Sequence, residues 1–294
     1  MRIMSLMALL MLTATGVASA KDETFARTVP AHPRGAVIVS NVAGVVKVTG
    51  WDRNEVDIKG ELSSRVERVD VRSERGRTTV KVILRGSSRG GSARLELQVP
   101  RGSQLDVSAV SADLLSYAVT GAQRLQTVSG DVSAEMDTGD IEVKTVSGNT
   151  HLRGQGKPAS LRVSTVSGDI RIERGAGRLE ATTVSGDLRT ELAVFDSVRL
   201  RTTSGDVFFK GRLSKGGNFD GETVNGELSV EAPAEAGYEY DVSTFNGDVT
   251  NCFNARVERS SSYGPGSRLS GTVGEGAGRI RLRTMNGDVE LCDR

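Results

Sequence analysis

In 294 residues, 38 Lys plus Arg stand against 37 Asp plus Glu, a balance that excludes electrostatic capture of nucleic acid or of an anionic membrane. Two histidines, two cysteines and an aromatic content of 4% leave little for imidazole or thiolate catalysis or for broad aromatic sugar platforms. Apolar residues at helical spacing are nearly absent, so the chain reads as all-β.

Residues 1–20 set Arg2 before an apolar run from Ile3 to about Val17 and close on Ala18-Ser19-Ala20, the small-x-small form of a signal-peptidase site. This predicts export, with cleavage after Ala20 and a periplasmic or secreted mature chain. The run is too short to span a bilayer and no second run follows, so no transmembrane anchor is expected. Loss of Arg2 with this segment leaves basic and acidic residues equal at 37. Residues 21–34 read as a flexible lead. Residues 35–104 read as an N-terminal β subregion with alternating runs at Val45 to Ile58, Val66 to Val71, Thr78 to Leu84 and Ala93 to Val99. A degenerate coil centred on Gly44, with Val37 and Val39 before it and Val46 and Val48 after, is expected to open the mature chain.

From residue 105 to 294 one phrase returns. Thr127-Val128-Ser129-Gly130-Asp131 recurs around Gly148, Gly168, Gly186 and Gly205, then with Asn for Ser around Gly226, Gly247 and Gly287; a weak early copy is centred on Ala112. The central residue advances by 18, 18, 20, 18, 19, 21, 21 and 40 positions. Each copy sits between apolar alternations, as Leu161, Val163 and then Ile170, Ile172 around Gly168. A meander of hairpins has no reason to repeat one corner at one phase, whereas a solenoid sets that corner above the last on every coil. The sequence therefore predicts a parallel β-solenoid of about ten coils of 18–21 residues, with glycine supplying the positive φ at each corner.

The 40-residue interval predicts a loop excursion at about 254–279. Cys252 and Cys292 each lie five residues beyond a corner glycine, Gly247 and Gly287, and so share one slot on two coils. With the excursion looped out these coils are adjacent, and a spacing of about 4.8 Å falls inside the window for a disulfide that fastens the last coil.

The exported chain, the opening Val39-Ser40-Asn41-Val42-Ala43-Gly44-Val45-Val46-Lys47-Val48, the Leu97-Gln98-Val99-Pro100 junction and the serial Ser-Gly-Asp phrases resemble the bacterial DUF4097 family, which carries the label "putative adhesin". The likeness covers roughly residues 35 to 291 and implies a β-solenoid with a binding role.

Candidate chemistry is sparse. The acidic column Asp131, Asp169, Asp187, Asp206, Glu227, Asp248 and Asp288 would repel itself unless water or a cation intervened, which makes calcium the cation to consider. One carboxylate per coil and the interruption at Asn149 point instead to a solvated corner. The Thr column from Thr127 to Thr284 shares the phase of Leu161 and Val163 and reads as an inward structural ladder. His32 falls in the lead, and His151 takes an outward slot without a companion at ligand or nucleophile spacing. No catalytic, cofactor-binding or metal residue is expected. The reading is a non-enzymatic, adhesin-like binding or scaffolding module, its partner a cell-envelope polysaccharide or protein. Contacts would come from its outward polar face or the loop from Ala255 to Gly278. The alternative is a polysaccharide-cleaving β-helix working through carboxylates such as Asp187 and Asp206 with Arg189 or Arg201 nearby.

Overall fold

The computed structural model describes residues 23–86, 90–259 and 265–293. The expected export segment, residues 1–20, lies outside them. Seven strands form the first part: β1 (Glu23–Pro30), β2 (Ala36–Trp51), β3 (Glu55–Leu62), β4 (Val66–Glu74), β5 (Arg77–Leu84), β6 (Ala93–Pro100) and β7 (Gln104–Tyr117). Short strands follow: β8 (Gln123–Gln126), β9 (Val132–Glu135), β10 (Ile141–Lys144), β11 (Thr150–Arg153) and β12 (Pro158–Ser164). Three long ones run through the return bends, β13 (Ile170–Thr182), β14 (Leu188–Arg201) and β15 (Val207–Glu222). The last are β16 (Leu228–Glu231), β17 (Tyr238–Asn246), β18 (Val249–Asn251), β19 (Glu258–Arg259), β20 (Ser267–Val273), β21 (Gly278–Asn286) and β22 (Val289–Cys292). One 3-10 turn, Ala234–Ala236, is the only helical element among the described residues.

The middle of the molecule is a parallel β-solenoid in which each coil pairs with the next in register. Leu161 and Val163 face Ile141 and Val143 below and Leu179 and Ala181 above. After the corner, Ile170 and Ile172 face Thr150 and Leu152 below and Leu188 and Thr190 above. Every one of these side chains is buried, because period-two alternation turns both strand segments of a coil inward onto one continuous core. On the return side, Phe195, Phe209 and Phe219 fill the wider space, with ring centroids 4.9 and 4.5 Å apart along the series.

At the ends, spatial order departs from chain order. β2 carries the Gly44 corner and pairs with β7 on one side, but with β5 and β6 on the other. The Gly44 coil, first along the chain, is therefore the second layer of the stack. The layer outside it is covered by antiparallel strands, β4 on β5, and β3 on β6 followed by β1 on β3. The lead expected over 21–34 thus contains a strand. Its side chains are mostly exposed, with Val29 alone buried, so backbone bonding holds β1 and no hydrophobic period announces it.

The other end repeats the device. β21 and β22, the final coil in the sequence, pair with β15 and β16 on one face and with β17 and β18 on the other. The Gly287 coil is slotted between those of Gly226 and Gly247. The disulfide does fasten the outermost coil, but that coil is the Gly247 one, which carries Cys252, and not the final coil in the sequence. The segment read as an excursion is not all loop, since β20 runs antiparallel along β17 and covers the exposed edge. Counted by corners among the described residues, the stack has ten coils, at Gly44, at Ala112 and at the eight Ser-Gly or Asn-Gly sites.

Candidate binding face

The corner is the most repeated geometry in the molecule. The eight corner glycines, Gly130, Gly148, Gly168, Gly186, Gly205, Gly226, Gly247 and Gly287, hold φ between 142° and 155°. At Gly168 a Cβ would also collide with the carbonyl oxygen of Gly148, one coil below. Its neighbours are bonded in both directions: Ser167 N–H donates to Val146 O at 2.8 Å, Gly168 N–H to Ser185 O at 3.0 Å and Ile170 N–H to Asp187 O at 2.9 Å. The remaining donor, Asp169 N–H, goes to Asn149 Oδ1 at 3.0 Å.

That last bond defines the acidic column. Asp113 accepts from Asp131 N–H, Asp131 from Asn149, Asp169 from Asp187, Asp187 from Asp206, Asp206 from Glu227, and Asp288 from Asp248, at 2.7 to 3.0 Å. What the slot requires is an acceptor oxygen, and the Asn149 amide supplies one as well as a carboxylate does. The Asn corners add a second ladder, Asn246 Nδ2 to Asn286 Oδ1 and Asn286 Nδ2 to Asn225 Oδ1, both 2.8 Å. Inside the corner, the Thr column is 2 to 7% exposed. Its hydroxyls donate to the glycine or alanine carbonyl of the neighbouring coil at Thr127, Thr183, Thr202, Thr223, Thr244 and Thr284. Those of Thr145 and Thr165 have no partner among the described residues.

Outside the corner, the Val position forms a ridge that sequence reasoning missed. Val110, Val128, Val146, Val166, Val184 and Val224 are 37 to 51% exposed, and Met285 and Phe245 continue the column at 54% each. Their phase is opposite to the buried Thr, which is the signal that would have found them.

The strand face before the corner carries a charge ladder. In spatial order it reads Asp106, Arg124, Glu142, Arg162, Glu180, Arg199, Asp220, Arg281 and Asp241, alternating at every step. Ion pairs close between Arg124 and Glu142 at 3.0 Å, Arg162 and Glu180 at 3.1 Å, and Arg199 and Asp220 at 3.7 Å. Lys144 lies 2.6 Å from Glu142, and its hydrogen bond, aided by Arg124 against some desolvation, holds the Glu142 carboxyl below its usual value. On the far strand face Arg171 does the same for Glu173. Ladder residues Asp106, Arg124, Glu142 and Arg162, with Arg77 and Asp140, line a shallow mixed-charge hollow on the face.

The residues considered for catalysis are not brought together. Asp187 and Asp206 accept backbone bonds, while Arg189 lies 4.4 Å over the Phe208 ring and 3.8 Å from Glu191. Arg201 pairs with Asp220 and Glu222. His151 sits on the surface 3.6 Å from Glu173, and His32 Nδ1 accepts the Arg34 N–H. Tyr238 is buried and donates its hydroxyl to Ala232 O, and burial raises its phenol far above the usual range. Cys252 and Cys292 form a disulfide with a Cα separation of 4.8 Å. Glu290 joins them in the one compact His/Cys/Asp/Glu cluster among the described residues, but the disulfide occupies both sulfurs.

Repeated corners, in-register parallel pairing and capped ends define the class as a capped parallel β-solenoid. The chain belongs to the Toastrack DUF4097 family, whose model matches residues 46–292. It is similar to solved structures of a "putative adhesin" from Parabacteroides distasonis ATCC 8503 (11% identity, 92% of this chain and 98% of that chain, TM-score 0.43) and a "putative lipid binding protein" from the same organism (11%, 91% and 96%, 0.44). A "putative cell adhesion protein" from Clostridium sporogenes ATCC 15579 is also similar (9%, 92% and 99%, 0.30). No curated protein matches this sequence. No helix among the described residues is long and apolar enough to cross a membrane.

Proposed function

We propose that this chain is an exported, non-enzymatic binding or scaffolding module of the cell envelope, periplasmic or secreted after cleavage behind Ala20. It would engage a polysaccharide or protein through its rigid outward face and work without a resident cofactor, calcium included. The observation that carries this reading is the ladder face. Its charges neutralise one another at fixed one-coil spacing, which gives a flat, hydrogen-bonding surface suited to an extended partner, with the mixed-charge hollow as a contact point. The disulfide supports export, because such bonds persist in oxidising compartments. Against the hydrolase alternative, Asp187 and Asp206 are engaged by the backbone, and Arg189 and Arg201 pair with other acids.

Co-sedimentation with insoluble peptidoglycan and cell-surface polysaccharide, scored for retained protein and for released soluble sugar, tests the reading. Retention without release is expected. Sugar release that disappears in Asp187→Asn or Asp206→Asn would replace the module with an enzyme.

A further inference from the structure

The apolar ridge is used neither by the core nor by the charge ladders. Single exposed valines need no explanation, but a contiguous column at one phase does. The corner does not demand an apolar residue there, since Thr203 fills the slot on one coil without disturbing Ser204 or Gly205. From Val110 to Phe245 the ridge crosses nine coils, eight steps of about 4.8 Å, so it is about 38 Å long. The exposed Ser or Asn column on one side and the outward strand column on the other widen it into a continuous face, as the ~800 Å² per partner of a standard stable interface requires.

Antiparallel strands cap one end of the stack and the β17 edge of the other, which disfavours axial pairing there. A partner at the side meets knobs spaced at the coil period. A second copy of this chain presents the same straight ridge at the same period, and the electrostatics choose its direction. The carboxylate column lies on one flank of the ridge. An antiparallel pair would lay that column over its own copy, whereas a parallel pair lays it over the opposite flank, where Lys144, Arg201 and Arg283 stand with one acid, Glu222. The parallel arrangement also brings Met285 and Phe245, the largest exposed apolar side chains of the ridge, against their counterparts.

We propose that the corner ridge is the interface of a two-fold homodimer whose two stacks point the same way. Sedimentation equilibrium of the chain purified after export, with its disulfide intact, should give twice the monomer mass at the upper end of a concentration series. Val166→Lys with Val184→Lys should halve that mass with an unchanged urea midpoint. Val166→Thr with Val184→Thr, which extends to two more coils the residue type that Thr203 already provides, should weaken dimerisation several-fold. Phe245→Cys should let the introduced thiols join two copies, because the same height meets itself only in the parallel arrangement. A monomer at every concentration overturns the proposal, whether or not it sediments with phosphatidylcholine vesicles. So does a dimer that survives both double variants, and a dimer whose introduced thiols do not join overturns the parallel arrangement.

Discussion

The middle coils and the two ends of this solenoid are built from the same strands, but they obey different rules. Between Gly130 and Gly205 each coil touches only its chain neighbours, so local repetition is enough to specify it. At both ends a coil is inserted out of order. β2 lies between a layer formed by β5 and β6 and the coil of β7, and the β21–β22 coil lies between those of Gly226 and Gly247. A stack closed in chain order would leave its last strands free to fray from an open edge. Here the C-terminal strands are paired on both sides, and the coil left outermost is fastened by β20 and by the disulfide. Repetition lengthens the molecule, and broken order ends it.

The largest effect expected lies in the middle. Gly168→Val places a β-branched side chain at φ 148° against the Gly148 carbonyl and should cost about 4 kcal/mol or more, enough to prevent folding of a marginal chain. Gly216→Ala, at φ 79° with open space around it, should cost only about 1 kcal/mol; comparable urea midpoints for the two variants would contradict the corner geometry. Reducing the Cys252–Cys292 bond reopens a loop spanning a sequence separation of 40 and should cost about 4 kcal/mol on a loop-entropy account. Hydrogen exchange should then quicken in β17, β18 and β20 while β10 to β13 keep their protection, which separates the end from the middle.

A charge reversal probes the order of the final coils more gently. Arg281→Glu would set an acid between Asp220 and Asp241 and should lower stability by about 1–2 kcal/mol, with Arg281→Lys nearly neutral. Smallest is the acid response of the ladder. The folded-state carboxyl of Glu142 titrates below its ordinary value of 4.5, so its pairing stabilises the fold above that value and is lost as pH falls through the lowered one. Glu142→Gln should therefore flatten the acid limb of a stability-against-pH curve slightly and leave the neutral region almost unchanged.

The middle was legible because Gly, Thr and the apolar alternation repeat in one short window, where local conformation and burial act together. The pairing of Cys252 with Cys292 could be placed by the same phase. The inserted coil was not read, since a period reports spacing along the chain and is silent on which coils touch. A signal was nonetheless present: in chain order Asp220 would face Asp241, and only insertion of Arg281 restores alternation. The Asn corners at 226, 247 and 287 form one side-chain ladder for the same reason. β1 and β20 left almost no trace, because edge strands held by backbone bonds need little buried apolar surface. The acidic column was visible as composition, yet its use as a backbone acceptor depends on the height of the next coil.

The order of the final coils is the central claim, and the native disulfide does not decide it, since Gly247 and Gly287 are adjacent in either arrangement. In a background of Cys252→Ala and Cys292→Ala, the pair Ser229→Cys with Glu290→Cys should oxidise readily, because these positions face one another on neighbouring coils. Ser229→Cys with Thr250→Cys should not, because Glu290 stands between them. Peptide mapping that found the second bond and not the first would put the Gly247 coil directly on that of Gly226 and contradict the inserted order.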